Sequence, residues 1–344
     1  MFMSDEMVGI SGTEHFSPDL LERKKQRSKW GNRIRWGVDI IALVILLTIL
    51  FSIYMWGTHW YFEKSGKNAQ FTRAVAILAE MQGSGMKLDK DFGLVYISPL
   101  FKQTVTTKVY RQVGEWSVIT GELHAEKSLF GEIRYSIKEE EKYFRGDRRP
   151  FIGFPISLIY GGSDALPIGG EPDMERLGHI EDGFVAEMWF SFGKGMTPKE
   201  FMEVLSEYDL WVTGMAVYSG EMKDVKVSNY VSTNDTVYPP HLTLRPLVTF
   251  HENGTAGGES FSLTKQDIAL AEEQLMKDLE WLTSHVNYYG VNEDKQRLSY
   301  LKQNGIQVYG ATVTGPAREL EKLRQVPEFR RFGLGRVEVW NWDN

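Results

Sequence analysis

The residue types that most often carry chemistry in proteins do not form a recognised arrangement in this sequence. None of its 344 residues is a cysteine, which excludes thiol catalysis, cysteine-ligated zinc and iron–sulfur clusters. No H-E-x-x-H zinc motif, G-x-x-x-x-G-K-[ST] phosphate loop or G-x-S-x-G nucleophile turn occurs. No two histidines have the spacing that places two metal ligands on one face of a helix. The histidines are His15, His59, His124, His179, His241, His251 and His285.

Two other groups of residues contain some, but not all, of the residue types that a ligand-binding site needs. Gly193-Lys194-Gly195 precedes a predicted helix start as a strand-to-helix turn, where backbone amides can bind phosphate, yet no third glycine or paired acid accompanies it. The acidic run Glu139-Glu140-Glu141, between two lysines, is typical of a solvated surface. We therefore expect no catalytic residue, no metal site and no cofactor, and the sequence does not indicate an enzyme.

One segment is far more apolar than the chain as a whole, whose mean hydropathy is -0.30. Ile40–Trp56 contains no charged residue, and extension through Phe62 makes it long enough to cross a hydrocarbon layer of roughly 30 Å. Tyr54, Trp56 and Trp60 stand at its end, as in interfacial aromatic belts. The alternatives are a buried core helix and a cleaved signal peptide. The bulky sequence THWYF follows where cleavage would need small residues, so we expect a retained membrane helix.

The basic residues around this segment predict its orientation. Those before it outnumber those after it, so the positive-inside rule places the N-terminus in the cytoplasm. The expected localisation is the cell membrane, crossed once, with the C-terminal region outside the cytoplasm. A net charge of -7 argues against direct binding to nucleic acid. The basic residues are Arg23, Lys24, Lys25, Arg27, Lys29, Arg33 and Arg35 before the segment, and Lys64, Lys67 and Arg73 after it.

The N-terminal tail contains a helix start and a small apolar cluster. Ser17-Pro18-Asp19 combines a favoured N-cap, a proline at the first helical position and an acid near the helix N-terminus. We predict a short docking helix there. The alternative is that the basic run only sets topology and contacts anionic membrane lipids. The predicted partner-binding residues are Phe16, Leu20 and Leu21, which are apolar, and Lys24 and Lys25, which are basic.

The chain beyond the membrane segment shows two kinds of pattern. It begins with a predicted helix, Asn68–Gln82, and continues as short runs of alternating apolar and polar residues, which are typical of strands. Strands and helices then alternate. We therefore divide the chain into a cytoplasmic tail, a transmembrane helix, a membrane-proximal β-rich region and an extracytoplasmic α+β domain. Their boundaries are 1–39, 40–62, 63–165 and 166–344.

The last region contains two strand–helix–strand patterns. Thr197 and Glu200 have the spacing of a capping box at the start of the first helix, and Gly315-Pro316 opens the second. Two such units predict a ferredoxin-like α+β sheet with helices on one face. An insertion between them holds loops (226–262) and two helices, near 265–285 and 292–303. The four strands are expected at Phe184–Phe192, Trp211–Tyr218, Ile306–Thr314 and Gly335–Trp342.

Four passages resemble the sigma factor regulator family, the membrane-anchored anti-sigma factors of Bacillus-type bacteria that inhibit sigma factors such as sigma-M. The basic tail and membrane segment are similar to that family's N-terminal region, and the other three passages to its C-terminal part. They are RSKWGNRIRWGVDIIALVILL from Arg27, TPKEFMEVLSEYDLWVTGMAVY from Thr197, GIQVYGATVTGPARELEKL from Gly305 and LGRVEVWNW from Leu334.

The resemblance implies an anti-sigma factor that sequesters an extracytoplasmic-function sigma factor and senses envelope state through its outer domain. A tail of about 39 residues lacks room for the larger folded anti-sigma domain of many such regulators. Either the predicted tail helix suffices, or a small membrane partner protein supplies the rest. The alternative function is a membrane-anchored envelope-binding or assembly module without sigma-factor binding.

Overall fold

The structure is a computed structural model in which the chain separates into two compact units, Met1–Trp60 and Tyr61–Asn344. The second is called the folded unit below. Side chains are described from residue 35 onward, except that of residue 256. The residues described are 18–139, 151–160, 166–167, 169–227, 229–233, 236–250 and 256–340.

A single long helix begins the described chain. Helix α1 (Pro18–Lys64) has Pro18 at its first position, as the sequence predicts, and continues through the whole apolar segment. It ends at Ser65-Gly66, where Gly66 adopts a φ of 68°, a left-handed conformation that glycine tolerates without strain. Helix α2 (Lys67–Gln82) follows directly and is the predicted Asn68–Gln82 helix.

The first sheet of the folded unit is antiparallel and has five strands. Its order is β1-β3-β4-β5, and β2 also pairs with β3. Strands β3 and β4 form a hairpin in which Val113 pairs with Trp116, and Gly114 supplies the positive φ of 56° that the two-residue turn requires. The strands are β1 (Met86–Leu88), β2 (Tyr96–Ile97), β3 (Gln103–Val113), β4 (Trp116–Lys127) and β5 (Ile133–Glu139).

The second sheet contains the four strands that the sequence assigns to one sheet, and that prediction is confirmed. Its order is β10-β7-β13-β6-β14, and every neighbouring pair is antiparallel. Helix α5 joins β6 to β7, and α8 joins β13 to β14. Short helices α3 (Ser157–Tyr160) and α4 (Glu171–Gly178) precede this part. Its strands and connecting helices are β6 (Phe184–Met196), α5 (Pro198–Leu205), β7 (Trp211–Tyr218), β10 (Leu242–Leu244), β13 (Gln307–Pro316), α8 (Ala317–Lys322) and β14 (Phe329–Val339).

Two strands extend further than their sequence patterns predict. Strand β6 continues through Gly193-Lys194-Gly195 to Met196, which pairs with Val308, so these glycines belong to a strand and not to a phosphate-binding turn. Strand β14 begins at Phe329, not at Gly335 as predicted, because irregularities after Arg330 interrupt the alternation that the sequence pattern relies on. The capping box of Thr197 and Glu200 at the start of α5 is confirmed.

Helix α5 packs on the second sheet through aromatic side chains. The rings of Phe192 and Phe201 lie 4.9 Å apart, and those of Phe190 and Phe329 lie 4.4 Å apart. All four side chains are buried. A buried phenylalanine stabilises a fold by about 1.5–3 kcal/mol, so this cluster fixes α5 against the sheet.

Helix α2 is buried on every side and not only along the stripe predicted from its sequence. The Ser84 hydroxyl, just after the helix, lies 2.7 Å from that of Thr312 in the second sheet. On the other side, Tyr135 of the first sheet donates a hydrogen bond of 2.7 Å to Gln82. The helix therefore lies between the two sheets, and its alanines permit close packing on both. The folded unit is thus an α+β structure, as predicted from the sequence.

The insertion between β7 and β13 contains short strands as well as the two predicted helices. Strands β8 and β9 form one pair, and β11 and β12 form another. Helix α7 ends at Gly305, where φ is 75°. The elements are β8 (Val231–Ser232), β9 (Val237–Tyr238), β11 (Val248–Phe250), β12 (Ala256–Glu259), α6 (Ile268–His285) and α7 (Val291–Asn304).

Candidate functional site

The predicted partner-binding residues fall at the start of α1. Positions 20, 21, 24 and 25 lie in its first two turns, and at 100° per residue they span an arc of about 140° on one side of the helix. Phe16 lies outside the described residues. The helical start therefore places four of the five predicted positions on a common face.

The C-terminal part of α1 is long and apolar enough to cross a membrane. The segment Arg35–Lys64 has 30 residues, a mean hydropathy of 2.6 in its most apolar window, and no residue of that window buried by the protein. Its hydroxyl groups are satisfied within the helix, since Thr48 donates to the carbonyl of Val44 and Ser52 to that of Thr48, each at 2.8 Å. Such internal hydrogen bonds are what a lipid environment requires of polar side chains.

The folded unit contains a cavity of about 890 Å³ between α2, β5 and the start of α7. This volume is within the range of small-molecule and cofactor sites. Its apolar walls include Leu78 of α2 and Ile137 of β5, and Tyr288 and Tyr289 line the side towards α7. These residues are distant from one another in the sequence and belong to no short motif, so sequence analysis had no signal for this cavity.

A buried arginine on α7 organises the polar side of the cavity. Its guanidinium lies 2.8 Å from Glu293, 3.3 Å from Asp294 and 3.5 Å from Glu221. This residue is Arg297, and its side chain is almost fully buried. Burial raises the pKa values of Glu221 and Asp294, and the Arg297 charge opposes both shifts. One cation shared by three carboxyl groups makes this side of the cavity acidic in character.

The cavity is also lined by a histidine with an unpaired nitrogen. Nε2 of His241 is enclosed by protein and has no hydrogen-bond partner within the described part of the chain. Burial, with a smaller contribution from the nearby Arg297 charge, lowers the pKa of His241 to about 4. The imidazole is therefore neutral at pH 7, and its Nε2 is an unsatisfied buried polar atom beside the cavity.

The low pKa of His241 predicts a loss of stability in mild acid. Between pH 6.5 and about 4 the unfolded chain binds a proton at this ring and the folded chain does not, so the free energy of unfolding falls as the pH decreases. The contribution amounts to at most about 3 kcal/mol. Denaturant unfolding of the full chain at pH 7 and pH 4.5 measures it. We expect His241→Gln to reduce the difference in the free energy of unfolding between the two pH values, and exposed His179→Gln to leave that difference unchanged. The same difference in both variants would contradict the assignment to His241.

A second buried charge cluster holds α2, α6 and the segment after β10 together. Arg245 forms ion pairs with Glu80 and, at 2.9 Å, with Asp278, while Lys90 lies 2.7 Å from Glu80. Burial alone would raise the pKa of Glu80, but Arg245 and Lys90 hold that pKa below its ordinary value. Since each of these charged groups forms an ion pair within the cluster, we interpret the cluster as a structural element and not as a reactive site.

No group of His, Cys, Asp or Glu side chains capable of holding a metal occurs among the residues that the structure describes. His251, one of the seven histidines of the sequence, lies outside them. Two hydroxyl groups lie beside a histidine ring nitrogen, Ser284 at 2.8 Å from His285 and Thr106 at 3.1 Å from His124, and both pairs are exposed at the surface and outside the cavity lining.

Comparison with known proteins gives two likenesses. Residues 177–336 match the family described as sigma factor regulator C-terminal. Over 329 residues the chain is 21% identical to the Bacillus subtilis (strain 168) protein named "Probable anti-sigma-M factor YhdL", and the alignment covers 93% of this chain and 84% of that protein. No solved structure matches the chain. The resemblance to the sigma factor regulator family inferred from the sequence is thereby confirmed, and the matched region begins in α4 and includes the second sheet up to Arg336.

Proposed function

Because residues 177–336 match the sigma factor regulator C-terminal family, we propose that this protein is a single-pass membrane anti-sigma factor. Its N-terminal tail sequesters an extracytoplasmic-function sigma factor in the cytoplasm. Its ferredoxin-like sheet and the rest of the folded unit lie outside the membrane and sense envelope state. This proposal extends to the present chain what the name of its Bacillus subtilis relative says of that protein.

The observation that carries the proposal is the uninterrupted helix α1, which joins the tail to the candidate span. A helix rises 1.5 Å per residue, so Pro18–Lys64 measures about 70 Å, more than twice the hydrocarbon thickness of a bilayer. About a third of the helix, residues 18–34 with a length of about 25 Å, therefore projects beyond the segment Arg35–Lys64 on its N-terminal side. That projection carries Leu20, Leu21, Lys24 and Lys25 and is long enough to contact a protein in the cytoplasm.

The position of α2 supports a sensing role for the folded unit. This helix contributes Leu78, Ala79 and Gln82 to the cavity wall and is separated from α1 only by Ser65-Gly66. A ligand in the cavity would therefore contact the helix that directly follows the candidate span in the chain. For ligand binding to produce a signal, the ligand would have to bind more tightly when α2 is in one position than when it is in another.

The second candidate function is a membrane-anchored envelope-binding or assembly module without a sigma factor. The cavity favours this function, because the folded unit could bind an envelope ligand there whether or not the tail binds a sigma factor. Because the tail is short, a small membrane partner protein could also be needed to complete the sigma-factor site. Binding of a sigma factor to the tail distinguishes the anti-sigma function from the module.

The proposed orientation predicts a specific pattern of thiol labelling. The natural chain has no cysteine, so Leu270→Cys on exposed α6 and Ser28→Cys in the tail each provide a single thiol. We expect a membrane-impermeant maleimide to label position 270 in intact cells and position 28 only after the membrane is opened, because the positive-inside rule retains the basic tail in the cytoplasm. Labelling of position 28 and protection of position 270 in intact cells would reverse the proposed orientation.

A further inference from the structure

Two loops at one end of the first sheet expose large apolar side chains. Leu100 is 83% exposed and Phe130 is 93% exposed, and Leu129 beside Phe130 is exposed as well. These loops, Ser98–Lys102 and Ser128–Gly131, are called the rim loops below. They lie side by side because Gln103, at the start of β3, pairs with Lys127, at the end of β4. Water-soluble surfaces seldom retain apolar side chains grouped in this way without a binding partner.

The rim loops have ordered backbones that hold these side chains outward. The amide of Ser98 donates to the carbonyl of Lys102 at 2.9 Å, and that of Phe101 donates to the carbonyl of Ser98 at 2.9 Å. In the other loop the amide of Gly131 donates to the carbonyl of Ser128 at 3.1 Å. The exposure of Leu100 and Phe130 is therefore a property of closed turns, so no rearrangement is needed before they bind.

The rim loops lie next to the residues that leave the apolar segment. The ring of Phe101 stacks on that of Phe62 with centroids 6.3 Å apart, and Phe62 is the last residue of the predicted span. The side chain of Gln103 also donates to Asn68 at 2.9 Å. Since the end of a membrane helix lies at the bilayer surface, a loop packed against Phe62 lies at that surface too.

Lysines surround the same end of the sheet. Lys67 lies with its ammonium 4.9 Å from the centre of the Tyr61 ring, and it is near enough to Lys127 for the two charges to repel. Lys102 in the first rim loop forms an ion pair with Glu126 of β4, and Lys64 is the last residue of α1. An interfacial membrane anchor combines apolar side chains, which enter the acyl region, with lysines at the level of the lipid headgroups. The rim loops and the lysines around them have this composition.

We propose that the rim loops insert into the lipid surface, so that the folded unit docks on the membrane as well as being attached to it. The partner is the bilayer itself, with Leu100 and Phe130 at the level of the acyl boundary and the lysines among the phosphate groups. This inference rests on the membrane anchoring put forward under Proposed function. It adds a second attachment point, which limits the motion that the short Ser65-Gly66 connection would otherwise permit.

Single-cysteine fluorescence in the full-length chain tests the proposal. Leu100→Cys and Phe130→Cys replace highly exposed side chains, so neither variant disturbs packing. Each variant is labelled with an environment-sensitive nitrobenzoxadiazole dye and placed in nanodiscs of phosphatidylcholine and phosphatidylglycerol, with or without nitroxide-labelled lipid. Leu270→Cys is the matched control, because Leu270 is exposed and lies at the end of α6 away from the span. The other end of α6, at His285, accepts a hydrogen bond from Gln70 near the start of α2, and Leu270 lies about 22 Å farther along the helix. Trp56→Cys reports on the span itself.

The expected result is a blue-shifted emission at positions 100 and 130 that nitroxide lipids quench, with neither effect at position 270. If position 56 is quenched while 100 and 130 behave like 270, the docking proposal is wrong and the membrane anchor stands. If position 56 is not quenched either, the anchor itself is wrong. A blue shift at 100 and 130 without lipid quenching, present only in discs that hold two copies, would assign the rim loops to contact between chains and would overturn the proposal.

Discussion

Replacing Leu20 and Leu21 together with alanine is expected to release the sequestered sigma factor and raise expression of its target genes. An inhibitory tail must bury apolar surface on its partner, and these two residues are adjacent on the first turns of α1. Burial of one leucine contributes about 1.5–3 kcal/mol, of which truncation to alanine removes a part at each position. Binding should therefore weaken by a factor of about ten to several hundred. A reporter gene under control of the sigma factor measures the effect.

Two controls make the result of the double leucine change interpretable. Leu46→Ala/Leu47→Ala makes the same chemical change within the span, where both side chains are exposed to lipid in the proposed topology, and should leave the reporter silent. Neutralising Lys24 and Lys25 should have a smaller effect that depends on salt, because charges at the rim of an interface are screened. An unchanged reporter for the Leu20/Leu21 variant at normal protein level would move inhibition to a partner protein and leave this chain as the sensor.

Arg245→Ala is expected to destabilise the folded unit by about 3–5 kcal/mol, which is a large part of the stability of an ordinary domain. The change leaves the buried carboxyl group of Glu80 with Lys90 and the backbone amide of Leu88, and that of Asp278 with Arg73 at 3.8 Å as its ion-pair partner. Since the three charges come from α2, α6 and the segment after β10, their loss affects the packing of the whole insertion. Denaturant unfolding of the full chain in nanodiscs, followed by circular dichroism, measures the change.

The matched control for this variant is an exposed ion pair. Lys302→Ala removes a 2.8 Å contact with Glu280 at the surface, and such pairs contribute at most about 1 kcal/mol. Combining Arg245→Met with Glu80→Gln and Asp278→Asn removes all three charges and should recover much of the lost stability, because a buried ion network can be replaced by neutral groups at little cost. Equal destabilisation by Arg245→Ala and Lys302→Ala would show that the buried network is not a major source of stability.

The elements that the sequence predicts well are those specified by neighbouring residues. The start of α1 at Pro18 and the capping box of Thr197 and Glu200 are encoded within four residues. Strand β7 has the bounds that its pattern predicts, because all its residues except Thr213 and Gly214 have large or aliphatic apolar side chains and the strand ends at a turn. Local signals of this kind do not depend on the rest of the fold, so they survive in the complete structure.

Features that depend on pairing between distant residues could not be predicted in the same way. The end of β6 is set by its pairing with β13, more than a hundred residues later, and the start of β14 is obscured by irregular register. Helix α2 looks amphipathic in sequence, yet it is buried on all sides because a second sheet covers its remaining face. Its Glu80 finds a buried partner in Arg245, 165 positions away, which no local pattern can indicate.

The two parts of the candidate site differ for the same reason. The tail positions follow one another along a helix, so the sequence could place Leu20, Leu21, Lys24 and Lys25 on α1 without knowledge of the fold. The cavity brings His241 and Arg297 together with residues of α2 and β5, and only the folded chain shows that they meet. Family resemblance supplied the regulatory class, while the structure supplied the cavity.

The central claim is that the N-terminal tail holds an extracytoplasmic-function sigma factor. The most direct measurement is co-purification of the detergent-solubilised full chain with each such sigma factor of the source organism, expressed one at a time, beside a variant that lacks residues 1–28. We predict that one of these sigma factors binds the full chain and is lost from the truncated chain, which still inserts through Arg35–Lys64. Equal retention of that sigma factor by both chains, or binding of none of them to the full chain, would contradict the account.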